Sequence, residues 1–300
     1  MILMIEVKCY NNSERKFMKH IINILLFLLI TCYSLSAQSA DELNKKGLDA
    51  YNQGRYEESL KYFDRALEKD ASSADLWVNK GNAYYKMGIT DEKAVNFEKA
   101  ISCYDKALKY KPEIDNIIAN KGCALAQLNR NEEALKYCNK ALTINPRNVN
   151  GWRGKGMVLF NQGNFQGAIN CYDKVLEINP SLTWVYYNKG ISLYSLGREA
   201  EALDCYDKVL DIEPEFLQAL NNKGVILNKS GQYEEAILCF DRALERNGSC
   251  AKLWVNKGAS LYGLGRYDEA LLCFDKALEI DPSNEKAHKG MELILNGTGE

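Results

Sequence analysis

The chain has 300 residues, with 38 Lys and Arg against 40 Asp and Glu and a formal net charge of −2. That balance argues against a general nucleic-acid binder, which needs a basic footprint. Only two histidines occur, His20 and His288, which disfavours a histidine-based metal site or a His-dependent nucleophile.

Near the N-terminus, Lys19 and His20 precede a ten-residue run from Ile21 to Ile30 that is apolar except for Asn23. Small and polar residues follow through Ala40. A basic flank, a short apolar run and small residues describe a secretory signal peptide. The run is short for a membrane span, which needs about 18–20 apolar residues. Residues 1–39 are therefore expected to be a signal peptide or an N-terminal membrane anchor. Export, secreted or membrane-anchored, is the expected localisation, and a cytoplasmic protein with an apolar tail is the alternative. The ten cysteines sit awkwardly with an oxidising exterior.

From residue 40 onward the chain repeats. Glycines stand at 47, 81, 122, 156, 190, 224 and 258, each preceded by lysine, and every interval is 34 residues except one of 41. A fixed period in this range means an array of supersecondary units. With the recurring glycine as position 8, repeats begin at 40, 74, 115, 149, 183, 217 and 251. The last one shows the plan. Trp254 and Leu261 lie on one face of a first helix, and Gly265-Arg266-Tyr267 makes a turn. Ala270, Phe274 and Ala277 stripe a second helix, and Pro282 stops it. The second repeat carries seven extra residues between Gly88 and Ala100. Seven residues is close to two helical turns, so the spacing predicts a second helix begun two turns early, with Thr90 or Asp91 as N-cap.

These residues resemble the tetratricopeptide repeat, a 34-residue helix–turn–helix unit with a W-x₂-L-G-x₂-Y…A-x₃-F…P pattern. The resemblance implies an all-α, right-handed superhelical solenoid of seven repeats over residues 40–284 (40–73, 74–114, 115–148, 149–182, 183–216, 217–250 and 251–284). Residues 285–300 are expected to form a capping helix and tail. Lysine replaces the usual leucine at position 7, and Gly248 and Ala71 stand where proline is usual.

Five cysteines, Cys103, Cys171, Cys205, Cys239 and Cys273, share one phase of the repeat. Equivalent positions in stacked repeats lie too far apart for disulfides, so they read as small packing residues. The position-7 lysines are expected to pair with the position-25 aspartates Asp64, Asp105, Asp173, Asp207, Asp241 and Asp275, inside or between repeats.

On a helical wheel, positions 2, 5, 6, 9, 12 and 13 of the first helices share a sector. In tetratricopeptide arrays that sector lines the concave groove. Position 6 is Asn79, Asn120, Asn188, Asn222 and Asn256, with Lys45 and Gly154 the exceptions. A carboxamide both donates and accepts, so it can hold a peptide backbone. The column resembles the asparagine ladder of the O-linked N-acetylglucosamine transferases' repeat domain; simple repeat geometry is the alternative reading. The carboxylate clamp of co-chaperones is not matched, because no window supplies its lysine, asparagine and basic set. The other groove candidates are Arg153, Met157, Phe160, Trp184, Tyr187, Ile191, Tyr194, Lys252, Val255 and Tyr262. From the third repeat onward, positions 2–13 contain no acidic residue. The expected function is a non-catalytic protein–protein interaction scaffold that binds an extended peptide or partner protein in the groove. A structural assembly spacer, acting through convex or terminal surfaces, is the alternative. No nucleophile–base set, phosphate loop, cofactor motif or metal site is legible, and nothing in the sequence speaks to oligomeric state.

Overall fold

A computed structural model of the chain describes His20 and residues 38–297. The expected signal or anchor segment at 1–39 lies almost wholly outside the described residues. Among the described residues every regular element is an α-helix. The chain divides into two compact units, Met1–Pro112 and Glu113–Glu300.

The first unit holds two helix pairs: α1 (Ala40–Asn52) with α2 (Tyr56–Lys69), and α3 (Ala74–Asp91) with α4 (Ala94–Tyr110). Ser39 and Ser73 cap α1 and α3 by accepting from the backbone N–H of Glu42 and Leu76. Each satisfies a donor that the first turn leaves open. Leu43 and Leu76 close over Ala66 and Leu67, while Phe63 packs with Leu60 and Ala83.

The second unit holds five pairs and a final helix. They are α5 (Asp115–Gln127) with α6 (Asn131–Ile144), α7 (Val149–Asn161) with α8 (Phe165–Ile178), and α9 (Thr183–Ser195) with α10 (Glu199–Ile212). Then come α11 (Leu217–Lys229) with α12 (Tyr233–Arg246), α13 (Ala251–Gly263) with α14 (Tyr267–Ile280), and α15 (Glu285–Gly297).

Three backbone devices recur. Inside six of the seven pairs the chain reverses through a left-handed residue at position 15, such as Gly197 with φ 74° and Gly231 with φ 79°. Glycine takes that conformation without a Cβ clash. Prolines such as Pro146 and Pro282 stand two residues past the second helix, where no further turn can form. The position-8 glycine admits the ring of the second helix. A Cβ on Gly190 would lie 2.8 Å from Tyr206 Cε1, and one on Gly224 2.7 Å from Phe240. Tyr206 and Phe240 are buried as a result. The loop between repeats is held by position 4. The indoles of Trp152 and Trp254 donate to the carbonyls of Pro146 and Gly248, both at 2.8 Å.

The cores run across repeats. Leu253 of the seventh repeat closes a cluster built by Leu220, Leu227, Phe240 and Leu244 of the sixth. Each buried side chain of this size contributes about 1.5–3 kcal/mol, so removing one repeat uncovers its neighbour. The final helix α15 buries Ala287 and Ile294 against α14, but Leu293 and Leu295 remain exposed on its outer side.

The seven-residue insertion is shared out differently from the expectation. The first helix of repeat two has 18 residues where α1 has 13, and the second has 17 where α2 has 14. Thr90 and Asp91 belong to the first helix, and the N-cap of α4 is Lys93. Asp91 still serves the second helix from outside, accepting from Lys93 N at 3.1 Å and Asn96 Nδ2 at 2.9 Å. The helix passes through Gly88 because Phe97 takes the place of its side chain, 2.8 Å from a would-be Cβ. Glu92 makes the turn in the left-handed region, φ 54°.

Candidate functional site

The lysine column is part of the repeat seam. Lys189 Nζ meets Asp173 at 2.6 Å and Lys257 meets Asp241 at 2.6 Å; Lys80 pairs with Asp64 and Lys223 with Asp207 in the same way. In each pair the aspartate belongs to the preceding repeat. Two of these lysines also sit over the position-4 indole of their own helix, with the Lys80 and Lys257 ammoniums 5.4 Å and 5.8 Å from the Trp77 and Trp254 ring centroids. Repeat three departs from this: Lys121 is buried and donates to the Tyr137 hydroxyl at 2.8 Å. The aspartates remain 41–52 % exposed, so each pair contributes under about 1 kcal/mol.

Three of the five asparagines in the column are also drawn into the seam. Asn79 donates to Asn44 and Asn256 donates to Asn221, both at 2.9 Å and both one repeat back. Asn120 accepts from Asn150 of the next repeat at 2.8 Å. Asn222 accepts from Asn221 at 3.1 Å, and Asn188 donates to the Trp184 carbonyl at 2.8 Å on its own helix. All five are half-buried. The exception at Gly154 has a packing cause. A Cβ there would strike the Sγ of Cys138 and lie 3.2 Å from that of Cys123.

The remaining candidates gather into local groups. The Arg153 guanidinium lies 5.7 Å from the Trp184 ring centroid, and Met157 is half-buried on the same helix as Arg153. Phe160 packs edge-on against Phe165 at 5.3 Å. Tyr187 sits 5.2 Å from Phe216; burial raises its phenol pKa, and a hydrogen bond with Asn222 works against that rise. Tyr194 is 37 % exposed and lies under Lys229, which also pairs with Glu199. Lys252 and Tyr262 are exposed. Val255 does not face the groove: it is buried with Leu261 and Phe274.

Tyr187, Asn222 and Lys252 come together at one depression of about 290 Å³, with Gln218, Asn221, Asn247 and Cys250 around it. Lys252 is its only charged lining residue. Sequence reasoning missed Asn247 and Cys250 because they belong to the loop between repeats. It also missed Leu238 and Leu272, 63 % and 65 % exposed, the first in an open cleft lined by α10, α11 and α12 and the second in one lined by α13 and α14.

No group of three or more His, Cys, Asp or Glu that could hold a metal occurs among the described residues. The eight cysteines there are free. Burial pushes the thiols of Cys103 and Cys205 up to about 11. No helix among the described residues is long and apolar enough to cross a membrane.

Family models described as tetratricopeptide repeat match residues 38–113, 117–148, 183–216, 217–250 and 251–284, and one described as TPR repeat matches 156–197. No curated protein matches the chain in sequence. Three solved structures illustrate the likeness. YrrB, described as a TPR protein with an unusual peptide-binding site, is 23 % identical, covering 63 % of this chain and 98 % of its own, with a TM-score of 0.57. A tetratricopeptide repeat protein from Parabacteroides merdae is 20 % identical over 87 % of this chain and all of its own, with a TM-score of 0.54. PilF of Pseudomonas aeruginosa is 18 % identical over 73 % of this chain and 96 % of its own, with a TM-score of 0.62. Period, helix pairing and these matches agree, and the chain belongs to the tetratricopeptide-repeat family.

Proposed function

We propose that this protein-interaction scaffold is non-catalytic and takes an extended peptide with acidic side chains on the first-helix face of repeats four to seven. The observation that carries this reading is the depression at Tyr187, Asn222 and Lys252, which combines a phenol, carboxamides and one cation with no acidic lining residue. Arg153 on Trp184 adds a second cation to the same set of first helices. Positions 2–13 carry no carboxylate from repeat three onward, so an acidic segment meets no like charge there. Charges of this kind mainly raise association rate and fix register. An unstructured ligand loses chain entropy on docking, so affinity should be moderate.

The test is fluorescence anisotropy with a labelled glutamate-rich peptide carrying one aromatic residue. Lys252→Glu together with Arg153→Glu should weaken binding by about tenfold or more, and salt should weaken the wild type. Asn222→Ala with Trp184→Ala should also lose binding. If folded forms of both double variants bind as the wild type does, the groove reading is wrong. Export directed by residues 1–39 belongs to the same proposal. A mature protein starting between Ala37 and Asp41 supports it, and an uncut soluble form refutes it.

A second reading, assembly through the outer side, is favoured by the exposed Leu238 and Leu272. It requires a defined oligomer without ligand, which light scattering on the eluting peak would detect.

A further inference from the structure

Position 31 is asparagine in three repeats: Asn145, Asn179 and Asn247. In the first two the next residue is proline, Pro146 or Pro180; after Asn247 it is Gly248. Proline has no backbone N–H. Glycine has one, and no side chain to shield it.

All three side chains accept a hydrogen bond from the residue two places on, Asn145 and Asn179 from its backbone N–H and Asn247 from its hydroxyl. Asn145 Oδ1 accepts from Arg147 N, Asn179 Oδ1 accepts from Ser181 N and Oγ, and Asn247 Oδ1 accepts from Ser249 Oγ at 3.0 Å. Such contacts hold the side-chain carbonyl over the following backbone. Asn247 is exposed, just past the end of α12. The Gly248 N–H has no hydrogen-bond partner among the described residues. A Cβ on Gly248 would meet only the Leu244 carbonyl oxygen, at 3.5 Å, so the loop is open there.

We infer that Asn247-Gly248 is a site of spontaneous deamidation that places a new carboxylate beside Lys252 in the groove depression. The Gly248 nitrogen bonds to Asn247 Cγ, and the Cγ–Nδ2 bond breaks. Ammonia leaves with the proton from the Gly248 N–H, closing a five-membered imide. Water opens the imide at either carbonyl to give aspartate or its β-linked isomer. No oxidant, reductant or other reactant enters.

The chain supplies its own controls. Asn150-Gly151 has the same dipeptide but lies in the first turn of α7. There Gly151 is buried and its N–H donates to Asn148 Oδ1 at 2.7 Å, while Asn150 donates to Asn120. The same nucleophile is therefore tied down, and Asn150 should stay intact in the folded protein. Asn145 and Asn179 lack the nucleophile altogether.

The consequence rests on the acidic-peptide reading. Asn247 lines the depression whose only charged lining residue is Lys252. A carboxylate at Asn247 would compensate that cation and repel an acidic ligand, so the modification would weaken binding as the protein ages.

The experiment is to age the full chain in mildly alkaline buffer at body temperature and follow two tryptic peptides by mass. The peptide Asn247–Lys252 should become heavier by about one dalton with time and split into two chromatographic forms, while Asn148–Arg153 keeps its mass. Gly248→Pro, which restores the residue of the neighbouring repeats, should abolish the change. If the native 247–252 peptide keeps its mass over a period in which the urea-unfolded chain converts, the inference is overturned. For the consequence, fresh Asn247→Asp should bind the labelled glutamate-rich peptide several-fold more weakly than fresh wild type. Aged Gly248→Pro should bind as it does when fresh. Equal binding by Asn247→Asp and wild type refutes the charge effect. Absence of peptide binding by fresh wild type refutes the groove reading instead, and the mass shift still decides the modification.

Discussion

Replacing Gly190 by alanine tests the central packing device of the fold, because two effects oppose each other there. In an exposed helix the change would stabilise by about 1 kcal/mol, since glycine is the poorer helix former. At Gly190 the new methyl would lie 2.8 Å from Tyr206 Cε1, closer than real Cβ contacts come. The ring cannot swing aside: Tyr206 is 1 % exposed, fixed among Leu193, Val209 and Ile226. Overpacking of this kind costs about 1–3 kcal/mol, so the net effect should be destabilising by about 1 kcal/mol. Tyr206→Leu alone should destabilise by more, through the lost ring. In the double variant the methyl enters vacated space, so the two changes should couple favourably by about 1 kcal/mol or more. Urea unfolding followed by circular dichroism measures all four corners of the cycle, and fluorescence of Trp184 and Trp254 reports the nearby repeats. A higher midpoint for Gly190→Ala, or strict additivity in the double variant, would refute the close-approach account.

Three further outcomes follow from the charges and thiols. Lys189→Met should lower stability by less than about 1 kcal/mol, and the loss should shrink in high salt, because Asp173 is 44 % exposed; a larger, salt-independent loss would show that the pair is effectively buried. The thiols of Cys103 and Cys205, held at about 11 by burial, ionise later in the folded chain than in the unfolded one, whose thiols ionise near about 8.5. Between those values the unfolded state binds fewer protons, so stability should fall as pH rises from about 8.5 to 11. Changing both cysteines to alanine should flatten that fall. At neutral pH iodoacetamide should reach Cys250, the one half-exposed thiol among the described cysteines, before any other.

The register of the array was legible because it rests on backbone requirements that occur once per repeat. Only glycine fits at position 8, under a ring in six repeats and against Cys138 in the third, and proline follows the second helix in five of the seven. The left-handed turn at position 15 is less strict: Asn129 makes it in repeat three, with φ 57°. The insertion was half legible. Seven residues preserve helical phase whichever helix receives them, so periodicity could not choose between the two. The choice was made by Phe97 filling the space at Gly88 and by Glu92 adopting the turn conformation. Neither is a pattern in the local sequence.

The partners of individual side chains on the first helices were not legible. A helical wheel gives a direction, and it does not show what a neighbour one repeat away supplies. Asn79 and Asn256 bond to Asn44 and Asn221, which lie 35 residues back. Val255 sits at the edge of the sector, where a small change of helix rotation turns a groove residue into a core residue. The break at Gly154 makes the point most directly. In sequence, Cys138 at a ring position and Gly154 in the asparagine column are two unrelated departures. In the fold they are one packing event: the thiol stands where other repeats have a ring on the second helix, and no side chain fits against it at Gly154. An asparagine at Gly154 would therefore not complete the ladder; it would force α7 away from α6. Three of the column's five carboxamides are engaged across repeats, so the peptide contact proposed above would fall to the carboxamide atoms that stacking leaves free.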